Sequence, residues 1–212
     1  MDKVTYEQLP ELFTAIAHQF EENEELLCEM DSKMGDGDLG LTMRKGFCAL
    51  PEVLRTMDEA DFAKKIRKAG MEMTDIVPST MGMLMGTGVS FGGKNLAGKT
   101  ELDAEGVALL LEGYAAGIIK RGKCARGERT VLDSIGSAAD AARAAADAGK
   151  SLEEVCRAAL EGADAGVEAT KEMLPKYGKA AVHKNVALGV ADQGALAGAL
   201  FVRGLTEFIC GK

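Results

Sequence analysis

The sequence predicts an all-α chain, a bundle of about eight helices with glycine-rich loops free to build a site. Three observations carry this. Apolar residues recur at spacings of three and four along almost all of the 212 residues, which is the period of one helix face. No stretch alternates apolar and polar residues over a useful length, so no strand pair is signalled. Clusters of Gly, Pro and charge interrupt the pattern at 33–40, 76–82, 92–104, 120–128 and 175–193, leaving helix-length segments between them.

Taken in order, Leu9, Phe13, Ile16 and Phe20 share the face of a first helix. Phe47 and Leu50 continue an amphipathic segment after the loop at 35–40. Phe62, Ile66, Ala69 and Met73 repeat the spacing, and so do Val107, Leu110, Leu111, Tyr114 and Ile118. Thr130 to Ala146 is rich in Ala, the best helix former. Residues 152–173 and 194–209 read as two more helices. Small Ala and Gly residues let such helices pack closely. No repeat or low-complexity linker divides the chain, so one domain over 1–212 is expected.

The composition, 47% hydrophobic, is globular. No apolar run is long enough to cross a bilayer, and Met1 to Thr5 lacks the pattern of a signal peptide. A cytoplasmic location away from membranes is therefore expected. The cysteines, Cys28, Cys48, Cys124, Cys156 and Cys210, form no C-x-x-C pair and read as reduced thiols, mostly filling core. A net charge of −8 disfavours a nucleic-acid partner, and 5% aromatics without Trp disfavour a stacking platform for single strands. A nucleotide can still bind where metal ions neutralise the local charge.

Four segments can carry chemistry. In Asp31-Ser-Lys-Met-Gly-Asp36-Gly-Asp38-Leu-Gly40, three carboxylates are separated by glycines that let the backbone fold tightly. Converging carboxylates repel unless a hard cation sits between them, and magnesium shares such oxygens with phosphates. The plainer reading is an acidic loop with Asp38 capping the next helix. An EF-hand fails, because its positions 6 and 12 are Asp36 and Thr42.

In Pro78 to Thr87, Ser79 or Thr80 can open a helix and present free N–H groups to an anion, and Met81, Met83 and Met85 either line an adenine pocket or pack in the core. The basic, glycine-rich stretch Gly122 to Asp133 leads into a helix, with a capping box from Thr130 to Asp133. In Gly178 to Ala195, Lys179 can reach a phosphate as a point charge and Asp192 can cap the last helix. His183 reads as a loop histidine, and His18, beside an apolar face, as structural.

Gly93-Lys-Asn-Leu-Ala-Gly98-Lys99-Thr100 matches a P-loop pattern. A P-loop needs a strand before it and a helix opening at its Lys-Thr, and neither is signalled.

Together the four segments resemble the DhaL family, the nucleotide subunits of dihydroxyacetone kinases, over essentially the whole chain. Asp31, Gly35, Asp36, Asp38 and Gly40 match its D-x-x-x-G-D-x-D-H-G signature. Gly82, Leu84, Gly86 and Thr87 match its second segment, and Arg121, Gly122, Lys123, Gly127, Thr130 and Asp133 its third. Gly178, Ala180, Gly189, Asp192, Gly194 and Ala195 match its fourth.

The resemblance implies an antiparallel eight-helix barrel with ADP or ATP at one end. It implies two magnesium ions on Asp31, Asp36 and Asp38. By position, Leu39, Gly40, Thr42, Thr80, Met81, Gly122, Val131, Lys179, Asp192, Gln193 and Gly194 would line the nucleotide site, with Asp31, Asp36, Asp38 and Lys179 as the catalytic set. The small ketose, dihydroxyacetone by resemblance, would sit on a separate DhaK-like subunit, bound to that partner's histidine. The phosphoryl donor would be exchanging ATP or a DhaM-like phosphotransferase-system protein, and a homodimer is expected.

This chain departs from the family at five positions. Leu39 stands where the family has His, Thr42 where it has Asn, Met81 where it has Ser and Gln193 where it has Pro. Lys179 replaces an Arg, keeping charge but losing bidentate geometry. These changes motivate an alternative, a non-catalytic nucleotide-sensing or regulatory relative of the same fold. A fatty-acid-kinase-like nucleotide domain shares the D-G-D-x-G core but normally carries further domains, and a P-loop NTPase is the third option.

Overall fold

The computed structural model describes residues 1–177, 181 and 187–211. Gly178, Lys179, Ala180 and His183 lie outside the described residues. Among the described residues the helices are α1 (Leu9–Glu22), α2 (Glu24–Ser32), α3 (Leu39–Thr56), α4 (Phe62–Ile76), α5 (Thr80–Asn95), α6 (Ala104–Gly122), α7 (Val131–Asp147), α8 (Leu152–Ala169) and α9 (Gln193–Cys210). Extended pairing within them is limited to one antiparallel bridge, Val4 with Leu102. The fold is all-α.

Eight of these helices form a closed ring. Going round it, α1 packs on α3, then α4, α5, α6, α7, α8 and α9 follow, and α9 returns to α1. α2 is an addition packed mainly on α3. It accounts for the ninth helix: the chain turns at Asn23, whose side chain donates to Gln19 O at 2.8 Å, and restarts at Glu24.

Aromatic rings tie the ring together across its centre. Phe20 of α1 stacks on Phe47 of α3 with centroids 4.2 Å apart. Phe47 meets Phe201 of α9, which meets Tyr114 of α6 at 4.7 Å. All four side chains are buried, and aromatic pairs at such separations add to the burial of their area.

The break expected over 92–104 begins only at Leu96, because Gly92 and Gly93 belong to α5. Glycine costs helix propensity, but here it buys contact. A Cβ at Gly93 would lie 2.8 Å from Arg67 Cα of α4, and one at Gly92 would lie 2.8 Å from Leu110 Cδ1 of α6. The second motif segment opens a helix as expected, with Ser79 capping α5 at Thr80.

Neighbours in an up-and-down ring run antiparallel, so alternate helices start at the same end. α3, α5, α7 and α9 open at one end. α1, α4, α6 and α8 open at the other, near the Val4–Leu102 bridge.

The P-loop-like segment lies at that second end. It runs from the end of α5 to just before α6, without a strand. Lys99 pairs with Asp103 at 2.8 Å. His18 is on the solvent face rather than structural, 3.2 Å from Glu22. Among the cysteines, all free, Cys124 and Cys156 are buried and the other three are half-buried. No helix among the described residues is long and apolar enough to cross a membrane.

Candidate functional site

The acidic loop is shaped by Asp31. This residue closes α2, and its main-chain oxygen accepts from Met34 N at 3.1 Å and Gly35 N at 2.5 Å. Its side chain is buried and turned back over the loop, where Oδ2 accepts from Gly37 N at 2.8 Å and Asp38 N at 3.2 Å. The reversal needs both glycines. Gly37 has φ +78°, a conformation open to glycine at no steric cost. At Gly35 a Cβ would collide with the Asp31 carboxylate.

The result is that one oxygen from each of Asp31, Asp36 and Asp38 lies within 4.8 Å of the others. Such a donor set, all hard oxygen, fits a magnesium-type cation. Asp38 occupies the N-cap position of α3, but its side chain makes no cap bond. The plainer capping reading thus fails for Asp38. It holds for Asp192, which accepts from Ala195 N at 2.8 Å.

Beside the carboxylates is a cavity of about 330 Å³. The first residues or caps of α3, α5, α7 and α9 all line it, through Asp38 and Leu39, Ser79 and Thr80, Thr130 and Val131, and Asp192 and Gln193. A helix start carries partial positive charge and spare N–H groups, and therefore favours anions.

Of the residues expected to line a nucleotide site, Leu39, Thr42, Thr80, Met81, Val131, Asp192, Gln193 and Gly194 do border this cavity, as do Asp31, Asp36 and Asp38. Gly40 does not: it packs α3 on α2, and a Cβ there would overlap Glu24 O. Gly122 also stands behind the wall, where a Cβ would be 3.1 Å from Leu84 Cδ2. Leu39 is buried and joins the hydrophobic core. The three methionines divide. Met81 borders the cavity, Met83 is half-buried outside the lining, and Met85 is core.

Several lining residues had no reading of their own in the sequence, among them Met34, Arg129 and Tyr177. Arg129 is the most constrained. It has φ +59°, unusual for a residue with a Cβ, and its side chain is fully buried. It donates to Val190 O at 2.9 Å and lies 3.7 Å from Asp192 Oδ1. The Asp133 carboxylate fixes the loop around it, accepting from Gly127 N at 2.6 Å and Thr130 N at 2.7 Å, and so completes the expected capping box.

Burial pushes the Asp192 carboxyl up to about 6; the Ala195 N–H and the Arg129 charge oppose the rise. Gln193 crosses to the acidic loop and donates to Asp31 Oδ1 at 3.2 Å. Among the described residues, Arg129 Nε and Gln193 Oε1 are the buried side-chain polar atoms without a hydrogen-bond partner, and both residues line this cavity. Buried orphans are rare and concentrate where a ligand or water completes the network.

Fold and site define an all-α barrel with three converging carboxylates and four helix starts beside one cavity at one end. Known proteins narrow this. The DAK2 domain model matches residues 33–207. The ADP-binding subunit DhaL of PEP-dependent dihydroxyacetone kinase 1 from Listeria innocua is 30% identical over 187 residues, covering 88% of each chain. The corresponding DhaL subunit of Escherichia coli is 26% identical over 188 residues, 89% of this chain and 90% of its own. Human triokinase/FMN cyclase is 31% identical, but only 32% of its length is matched. The dihydroxyacetone kinase of C. freundii, solved with AMP-PNP and Mg2+, shares the fold with a TM-score of 0.71 at 21% identity, covering 98% of this chain and 35% of that one. The chain belongs to the DAK2-domain family, with the DhaL subunits among its members.

Proposed function

We propose that this chain is the nucleotide-holding subunit of a dihydroxyacetone-type kinase, carrying ADP or ATP with magnesium. The observation that carries the reading is the convergence of the Asp31, Asp36 and Asp38 oxygens within 4.8 Å beside a cavity that four helix starts border. The Listeria and E. coli relatives, both ADP-binding subunits, support it.

In this reading Asp31, Asp36 and Asp38 hold the cation, a pair of ions by family resemblance. Bound magnesium supplies charge neutralisation at the phosphate oxygens, most of what phosphoryl transfer asks of a protein. The amides at the starts of α3, α5, α7 and α9 orient the phosphates. Lys179, outside the described residues, is the cationic side chain that resemblance adds. The apolar lining from Met81, Leu84 and Val131 excludes water from the base side of the cavity. The acceptor, a small ketose, would be presented by a separate DhaK-like subunit in the cytoplasm.

Mixing the chain with a ketose-binding subunit, dihydroxyacetone and magnesium, with either ATP or a phosphorylated phosphotransferase-system donor, tests the proposal. Formation of phosphorylated ketose, dependent on this chain, is expected. Tight ADP binding with no transfer under either donor would favour the nucleotide-sensing alternative.

A further inference from the structure

We propose that Tyr177 is the wall on which the nucleobase stacks, so that this chain grips the base as well as the phosphates. The inference rests on the nucleotide reading above and goes beyond it, because Tyr177 is not among the positions that carry the family signature.

The cavity has two chemically distinct ends. One holds the three carboxylates, with Gln193 and the backbone of Gly37 and Asp38 turned toward Asp31. The other carries Leu84 and Tyr177, with the Lys176–Glu128 pair beside the ring. Leu84 lies against Gly122, at the end of α6, and the Tyr177 hydroxyl donates to the O of the next residue, Lys123, at 3.0 Å. Leu84 and Tyr177 therefore flank the same corner. Between the two ends are Val131 and Met81: a Cβ at Gly194 would be 3.5 Å from Val131 N and 3.7 Å from Met81 Cε. A ligand with phosphates at the carboxylate end can place its other end against Leu84 and Tyr177.

Tyr177 is the aromatic residue in the cavity lining. It is 40% exposed, which leaves part of the ring accessible to a ligand. It is also held in place: its hydroxyl is tied to Lys123 O, and Lys176 Nζ lies 5.7 Å from the ring centroid while pairing with Glu128. A fixed, partly exposed ring in the cavity wall is suited to a flat π-system such as a purine.

The test is calorimetric titration of ADP and of inorganic pyrophosphate, each with magnesium, into wild type, Tyr177→Phe and Tyr177→Ala. Losing a base–aromatic stack should weaken ADP by about tenfold or more in Tyr177→Ala. Pyrophosphate should bind all three alike, and Tyr177→Phe should stay close to wild type for ADP. The sequence has no Trp and three Tyr, of which Tyr114 is fully buried and Tyr6 lies at the other end of the barrel. Tyrosine fluorescence should therefore be quenched by ADP in wild type and not in Tyr177→Ala. Unchanged ADP affinity in Tyr177→Ala overturns the inference and leaves the nucleotide reading standing. Equal weakening of ADP and pyrophosphate also overturns it, since the side chain would then act on the loop rather than the base. If wild type binds no ADP at all, both readings fall.

Discussion

Replacing Arg129 with Met probes how the cavity floor is held. The Arg129 side chain is fully buried 3.7 Å from Asp192 Oδ1 and donates to Val190 O. At 3.7 Å and an effective dielectric of about 20, two unit charges attract by about 4 kcal/mol. Breaking a buried pair from one side costs about 3–5 kcal/mol, because the other charge is left stranded. Met restores most of the apolar volume, so the loss should be chiefly electrostatic and should depend on pH.

The sign follows from Asp192. Its folded value, about 6, is above the ordinary 3.8, so between the two the folded chain keeps a proton that the unfolded chain has released. Wild-type stability should then fall as pH rises from about 4 to about 6 and level off above. Without Arg129 the folded value climbs further, pushed also by the neighbouring Asp133, and stability should keep falling past pH 6. The assay is urea unfolding at about pH 5 and about pH 8, with the penalty growing by about 1.4 kcal/mol for each unit that Asp192 moves. In an Asp192→Asn background, where Asn keeps the cap, the pH difference should vanish. Equal losses at both pH values in the Arg129 variant would refute the pairing argument.

Three further outcomes are expected. Gln193→Leu removes the donor to Asp31 together with the unpartnered Oε1; fold stability should change little, while affinity for Mn2+, followed by spin resonance, should drop about tenfold or more. Gly35→Ala puts a Cβ into the Asp31 carboxylate and should cost about 1–3 kcal/mol in thermal or urea unfolding, along with cation binding. Lys99→Ala breaks only the exposed-end pair with Asp103; calorimetry should give ADP binding equal to wild type, and a large loss would revive the P-loop alternative.

Much of the barrel was legible because helix faces are periodic. The segment expected over Thr130 to Ala146 is α7 at Val131–Asp147, and the one over 194–209 is α9 at Gln193–Cys210. The turn at Asn23 was not legible, since acidic Glu24 and Glu25 continue a polar run without Gly or Pro to mark the break. The start of the break after α5 was misplaced for the opposite reason: Gly92 and Gly93 look like loop but serve close packing between helices.

At the site, short-range chemistry was readable and long-range chemistry was not. The D-x-x-x-G-D-x-D spacing forecasts converging carboxylates, because tight glycine turns are local. Arg129 reads in sequence as one more cation in a basic loop. Its partners, Asp192 and Val190, are some sixty residues away, |i−j| being 61 for Val190, and a single sequence holds no record of that meeting. Gly40 and Gly122 show the converse, where motif membership reflects helix packing rather than contact with the cavity.

The central claim is that Asp31, Asp36 and Asp38 hold a cation that in turn holds a nucleotide. Calorimetric titration of ADP, with and without magnesium, into wild type and Asp36→Asn tests it most directly. Magnesium-dependent binding by wild type, lost in the folded variant, is expected. Binding of equal strength in Asp36→Asn, or binding indifferent to magnesium, would contradict it.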